Sequence, residues 1–168
     1  LTVFNGYFSQ GENVVHASKF PAKRDFYAGR TEVLNTQYKN TQHLVVMGDI
    51  NVADQDIDIG IGEDNRKRWL KSGKASFQPE EREWLQRLGQ FGLTDSYRKL
   101  HPFGEQYSWF DYRSKGFERE PKRGLRIDQI LLTKSLLKHC KEADIDYVIR
   151  AMDKPSDHCP IFVKLEID

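Results

Sequence analysis

Apolar positions along this chain alternate in some stretches and recur at helical spacing in others, and those stretches define its predicted elements. Six segments rich in β-branched or aromatic residues read as strands: Leu1 to Asn5, His43 to Met47, Gln106 to Asp111, Arg126 to Leu132, Ile145 to Arg150 and Pro160 to Ile167. Between them, Lys19 to Tyr38 carries Phe20, Phe26, Tyr27, Val33, Leu34 and Tyr38 at roughly helical spacing, with Pro21 tolerated in the first turn. A second helix opens on Pro79-Glu80-Glu81, residues suited to a helix N-terminus, and Gly92 closes it. Long polar loops are expected at Gln10 to Ala17, Asn51 to Gly62 and Arg113 to Gly124. Loops of that length in a compact domain are usually functional or disordered. With no internal repeat and no linker-like change in composition, the pattern predicts one domain mixing strands and helices.

The 168 residues and 12% aromatic content suit a globular domain with a real core and exclude a collagenous or low-complexity chain. No apolar run approaches the ~18 to 20 residues that cross a bilayer, so no membrane partner is expected. The balance of 26 basic and 25 acidic residues argues against a uniformly basic nucleic-acid binder, yet the charges are segregated. Asp54, Asp56, Asp58, Glu63 and Asp64 precede Arg66, Lys67, Arg68, Lys71 and Lys74, and a second basic stretch runs from Arg113 to Arg126 beside aromatic residues. Two cysteines, Cys140 and Cys159, are too few for a disulfide framework and point to a reducing, cytoplasmic setting. The chain begins at Leu1 and reads as starting inside a fold.

Three segments carry candidate chemistry. The strand Val45-Val46-Met47-Gly48 delivers Asp49 and Asn51, which alternation places on one side, where carboxylate and carboxamide can share a ligand or metal. The bland alternative is that both cap a turn. The turn Lys154-Pro155-Ser156-Asp157-His158-Cys159-Pro160 offers an acid and an imidazole. Asp128 sits inside an otherwise apolar strand and needs a partner, either His158 or, as a structural ion pair, Arg126 or Arg123. Hard oxygen ligands converging from three strand ends suit Mg²⁺ or Mn²⁺, metals that commonly serve phosphate chemistry. No Gly-rich phosphate loop with a following Lys and no Gly-x-Ser-x-Gly elbow is present. The aromatic and cationic residues from Tyr107 to Phe117 suit stacking on bases and neutralising a phosphate backbone, with a core strand and solvated loop as the alternative.

Asn5-Gly6-Tyr7-Phe8, Gly48-Asp49-Ile50-Asn51, Asp58-Ile59-Gly60-Ile61-Gly62-Glu63, Asn65-Arg66-Lys67-Arg68-Trp69-Leu70, Ser108-Trp109-Phe110-Asp111-Tyr112-Arg113, Arg123-Gly124-Leu125-Arg126-Ile127-Asp128 and Lys154-Pro155-Ser156-Asp157-His158 together resemble, in order, the bacterial exonuclease III family. That family is the DNA-repair branch of the exonuclease, endonuclease and phosphatase superfamily. The resemblance implies an α/β fold, a four-layered αββα sandwich of two mixed β-sheets with flanking helices, incomplete at the N-terminus. It covers the later three-fifths or so of the family domain, and the family's earlier Gln-Glu strand end, which supplies the principal metal ligand, has no counterpart before Leu1.

The resemblance further implies Mg²⁺-dependent hydrolysis of DNA phosphodiesters, with Mn²⁺ able to substitute. The expected activities are 3′ exonuclease on duplex DNA, incision at abasic sites and removal of 3′ phosphates, by a protein monomeric when complete. It casts Asp49 as the base for the attacking water, Asn51 as orienting the nucleophile or phosphate, and Tyr7 as a phosphate-contacting residue. His158, held by Asp128, stabilises charge on the phosphate. Asp49, Asn51 and Asp157 are the expected metal residues, and Arg66, Trp109, Phe110, Arg113 and Lys115 face DNA. The missing carboxylate predicts weak activity for these residues alone. The alternatives are a phosphatase or phosphodiesterase of the same superfamily with another phosphorylated substrate, or a non-catalytic DNA-binding remnant.

Overall fold

The computed structural model describes residues 1–167. Strand β1 (Thr2–Asn5) pairs in parallel with β2 (Leu44–Asp49). Strand β2 pairs antiparallel with β4 (Asp128–Thr133), which in turn pairs antiparallel with β3 (Leu93–Asp95). The result is a four-stranded mixed sheet of order β1-β2-β4-β3. A second sheet holds β5 (Cys140–Ile145) and β6 (Ile161–Leu165), antiparallel to each other.

The central strands are apolar on both faces because each face meets another layer. Leu44 and Val46 of β2 and Leu131 of β4 pack beneath the long helices α1 (Lys19–Gln37) and α3 (Pro79–Gln90). Phe20, Tyr27 and Leu34 of α1, seven residues apart, and Trp84, Leu85 and Leu88 of α3 complete that layer. On the opposite face Val45, Ile130 and Leu132 meet Ile161, Val163 and Leu165 of β6. Pro79 opens α3 as predicted, and a capping box between Gln78 and Glu81 secures its first turn. Two short helices, α4 (Ser96–Leu100) and α5 (Lys134–Leu137), follow directly on β3 and β4.

Three layers, helices on sheet on sheet, are therefore present among the described residues. The expected fourth is not: Phe162 and Lys164 of β6 face outward and are exposed. The second sheet is a two-stranded antiparallel ribbon rather than mixed.

Two predicted strands are corrected. Gln106 to Asp111 forms no ladder, because its backbone is shared among segments: Ser108 and Trp109 N–H groups both donate to Leu125 O, and Phe110 N–H to Asp157 O. Ile145 to Arg150 instead ends β5 and opens a short helix α6 (Tyr147–Arg150), where the Asp146 carboxylate accepts the Ile149 N–H and caps the turn. Helix α2 (Glu63–Ser72) follows the acidic loop; it buries no residue fully, so its apolar signal is thin.

The acidic loop itself is pinned. Asp58 is wholly buried and accepts from Arg98 Nη2 at 2.6 Å and Arg126 Nε at 2.7 Å, while Arg126 Nη2 also reaches Asp95 at 2.6 Å. Arg126 is thus claimed by Asp58 and Asp95, which excludes it as the partner of Asp128.

Candidate active site

Strands β2 and β4 end side by side, with Asp49 directly opposite Asp128 in the ladder. Gly48 makes this end possible: at φ +128° it lies against the Gly6 carbonyl, where a Cβ would sit 2.0 Å from the oxygen. Phe8 N–H then donates to Asp49 O and Ile50 N–H to Ile127 O, fixing the strand ends. The Asp49 carboxylate accepts Asn51 N–H at 2.9 Å, so the turn-capping alternative holds for Oδ1, while Oδ2 stands 3.9 Å from His158 Nε2. Asn51 takes a left-handed φ of 54°, and its buried side chain donates to Phe8 O at 2.8 Å.

His158 answers the question left open for Asp128. Its Nδ1 lies 2.9 and 3.1 Å from the two Asp128 oxygens. An ionised carboxylate can only accept, so Nδ1 carries the proton and Nε2 is the nitrogen that faces Asp49. Ser108 Oγ accepts the backbone N–H groups of Ile127 and Asp128 and positions the acid from behind. Asp49, Asp128 and His158 form the one His/Cys/Asp/Glu cluster among the described residues with metal-ligand spacing, their ligand atoms all within 4.8 Å of one another.

The charges in this row act on each other. Burial pushes the Asp49 carboxyl up to about 6, the nearby charge of Asp128 adds to the rise, and His158, the Asn51 N–H and Lys23 oppose it. Burial disfavours the His158 imidazolium, but the hydrogen bond and charge of Asp128, with Asp49 and Asp157, outweigh it and raise the pKa.

Asp49, Asn51 and His158 line an open cavity of about 280 Å³ together with Tyr7, Trp109 and Asp157. Five of the expected catalytic and metal residues and one expected DNA residue thus meet in one place, with Asp128 behind His158. Asp157 stands apart from the clustered ligands, and its Oδ2 accepts Trp109 Nε1 at 3.0 Å. Arg113 and Lys115 lie exposed on the loop beyond, while Arg66 is engaged by Glu63 at 2.8 and 3.0 Å. Phe110 is corrected: it is wholly buried against Phe117 and Tyr147 and presents no surface to a ligand. Its neighbour Trp109 faces the cavity instead.

Some residues of the site were not singled out from the sequence. Lys74 lines the cavity, its ammonium 3.6 Å from the centroid of the Trp69 ring. Lys23, wholly buried, donates to Asn51 O at 2.8 Å and forms an ion pair with Glu81, also wholly buried. Glu81 in turn accepts the Ser76 and Gln78 N–H groups at 2.8 Å. This unit locks the Asn51 turn to the helical layer.

The family model described as the endonuclease/exonuclease/phosphatase family matches residues 1–158. The chain belongs to that family. It is 53% identical to exodeoxyribonuclease III of Haemophilus influenzae over 99% of its own length and 62% of the relative's. An AP endonuclease structure from Archaeoglobus fulgidus superposes with a TM-score of 0.87 at 30% identity, over 98% of this chain and 61% of that one. A 3′ phosphatase from Neisseria bound to a product DNA hairpin gives 0.85 at 35% identity, again over 98% and 61%. The chain is thus an exonuclease III homologue that spans about three-fifths of the length of these family members.

Proposed function

We propose that this chain carries the reacting groups of a metal-dependent DNA-repair nuclease of the exonuclease III type. Its reactions are 3′ exonucleolysis of duplex DNA, incision at abasic sites and removal of 3′ phosphates. The observation that carries the reading is the row Asp128, His158, Asp49 opening into a cavity walled by Trp109. The bound DNA of the Neisseria relative supports DNA as the partner, and the exposed Arg113 and Lys115 offer cations to a backbone.

In this reading Asp49 takes the proton of the attacking water, a task suited to a carboxyl raised to about 6. His158, oriented by Asp128 and drawn toward its protonated form by that charge, stabilises charge growing on the phosphate oxygens through Nε2. Asn51 and Tyr7 hold the phosphate, and Trp109 stacks beside the sugar or base. The donor set fits a hard divalent cation: the Asp49 and Asp128 carboxylates gather at one imidazole, and Asp49 is penalised by the charge of Asp128. Asp49, Asn51 and Asp157 would hold Mg²⁺ or Mn²⁺, which supplies neutralisation of phosphate charge when bound.

An oligonucleotide duplex with one abasic site, incubated in Mg²⁺ with and without EDTA, tests this. Incision that EDTA stops is expected. Hydrolysis confined to small phosphomonoesters would instead support the phosphatase alternative.

A further inference from the structure

Trp69 and Trp109 wall the reacting cavity on one side, and the same two indoles wall a second cavity of about 140 Å³ on the other. This second cavity lies between α2 and the loop from Arg113 to Gly124, and Arg68, Arg119 and Arg123 line it with Asn65, Ser114 and Asp111. We propose that it is an anion site that grips a backbone phosphate of the bound strand, adjacent to the phosphate that reacts. The proposal rests on the nucleic-acid reading above.

The charge in this cavity is uncompensated. Two buried arginines of this fold receive carboxylates: Arg98 pairs with Asp58, and Arg126 with Asp58 and Asp95. The three arginines of the cavity receive none, for no ion pair among the described residues involves them. Asp111 is the one acid in the lining, and its oxygens accept the Arg113 and Ser114 N–H groups of its own loop, each at 3.3 Å. Three exposed arginines line one small space, and their like charges favour an anion there.

The groups are also held ready. Arg68 Nη2 donates to Asn65 Oδ1 at 2.6 Å, and Arg119 Nε to Ser114 O at 3.0 Å. Arg123 N–H donates to Gly116 O at 2.8 Å across the loop, while the Arg123 side chain makes no hydrogen bond among the described residues. The held Arg68 and Arg119 forks and the unbonded Arg123 guanidinium retain free N–H groups of the geometry that pairs with phosphate oxygens.

The shared indole wall selects the ligand. Each strand of a duplex carries a phosphate for about every 3.4 Å of helix axis, so a strand that reacts at His158 carries neighbouring phosphates past Trp109. A chain of phosphodiesters satisfies both cavities at once, which an isolated anion does not.

The test measures binding of the whole chain to a fluorescent abasic-site duplex in EDTA across a salt series, for the unaltered protein, Arg123→Ala, Arg123→Lys and Arg68→Ala. If Arg123 neutralises one phosphate, Arg123→Ala makes the slope of log affinity against log salt shallower by about 0.9, with Arg123→Lys in between. Duplexes with single neutral methylphosphonates flanking the reacting phosphate locate the phosphate that Arg123 holds: one substitution should weaken the unaltered protein several-fold and Arg123→Ala no further. Equal salt slopes in all four proteins, in variants that melt like the parent, would overturn the pocket while leaving the nucleic-acid reading intact. So would fully additive effects of methylphosphonate and Arg123→Ala. Absence of salt-dependent binding by the unaltered chain would overturn both.

Discussion

Asp128 holds His158 by a 2.9 Å hydrogen bond to Nδ1, across 30 residues of sequence, and so turns Nε2 toward Asp49. The raised pKa of His158 depends on that bond, because burial alone acts in the opposite sense.

Replacing Asp128 with Asn therefore lowers the His158 pKa. The sign follows from linkage: the folded pKa of His158 stands above its unfolded value, so its imidazolium adds stability at low pH that fades as pH rises through the folded pKa. Asp128→Asn removes this low-pH contribution. An NMR titration of the His158 ring protons checks the shift, and cleavage should fall by about 10²-fold or more.

Asp49 follows the same sign for a different reason, since here burial disfavours the charged form. Its carboxyl is raised from 3.8 to about 6, so the folded state loses stability as pH climbs through that window and the charged form is disfavoured above it. Asp49→Asn should stabilise the protein by as much as about 3 kcal/mol at pH 8 and by nothing below about pH 4. Thermal melts at the two pH values measure the difference. Equal effects at both would show that Asp49 carries no such strain.

Lys23 and Glu81 form a wholly buried pair. Lys23→Met leaves Glu81 charged without its partner and should cost about 3 to 5 kcal/mol, while the double variant Lys23→Met/Glu81→Gln recovers much of it. Denaturant unfolding of the parent and the two variants reads this directly. The single variant should also loosen the Asn51 turn, seen as faster amide exchange at Asn51.

Asp58 is the common acceptor of Arg98 and Arg126. Asp58→Ala leaves Arg98 without a carboxylate and Arg126 with Asp95 alone, and should destabilise by about 3 to 5 kcal/mol. Asp56→Ala in the same loop, whose carboxylate is largely exposed and meets Arg82 alone, should cost under about 1 kcal/mol. Urea melts of the two variants beside the parent measure both.

Much of this was legible because the signals were local. Val45 to Asn51 announces a strand that ends on a Gly and an acid, and Pro79-Glu80-Glu81 announces a helix start. An acid in the apolar strand of Asp128 demanded a partner, but the sequence left His158 and Arg126 both open. The choice was decided by Asp58 and Asp95, which lie 68 and 31 residues from Arg126 and occupy it. The Lys23–Glu81 pair, 58 residues apart, had no local signature at all. Trp109 and Phe110 illustrate the same limit: adjacent residues were expected to face opposite ways, but which one faces the cavity depends on Phe117 and Tyr147 closing over Phe110.

The central claim is that Asp49 and His158 serve metal-dependent cleavage of DNA. The most direct test follows incision of an abasic-site duplex by the unaltered chain and by Asp49→Asn, in Mg²⁺ and in EDTA, with DNA binding measured in parallel. Slow, EDTA-sensitive incision that disappears in Asp49→Asn while binding persists is the predicted result. Incision that survives EDTA, or that proceeds undiminished in Asp49→Asn, would contradict it.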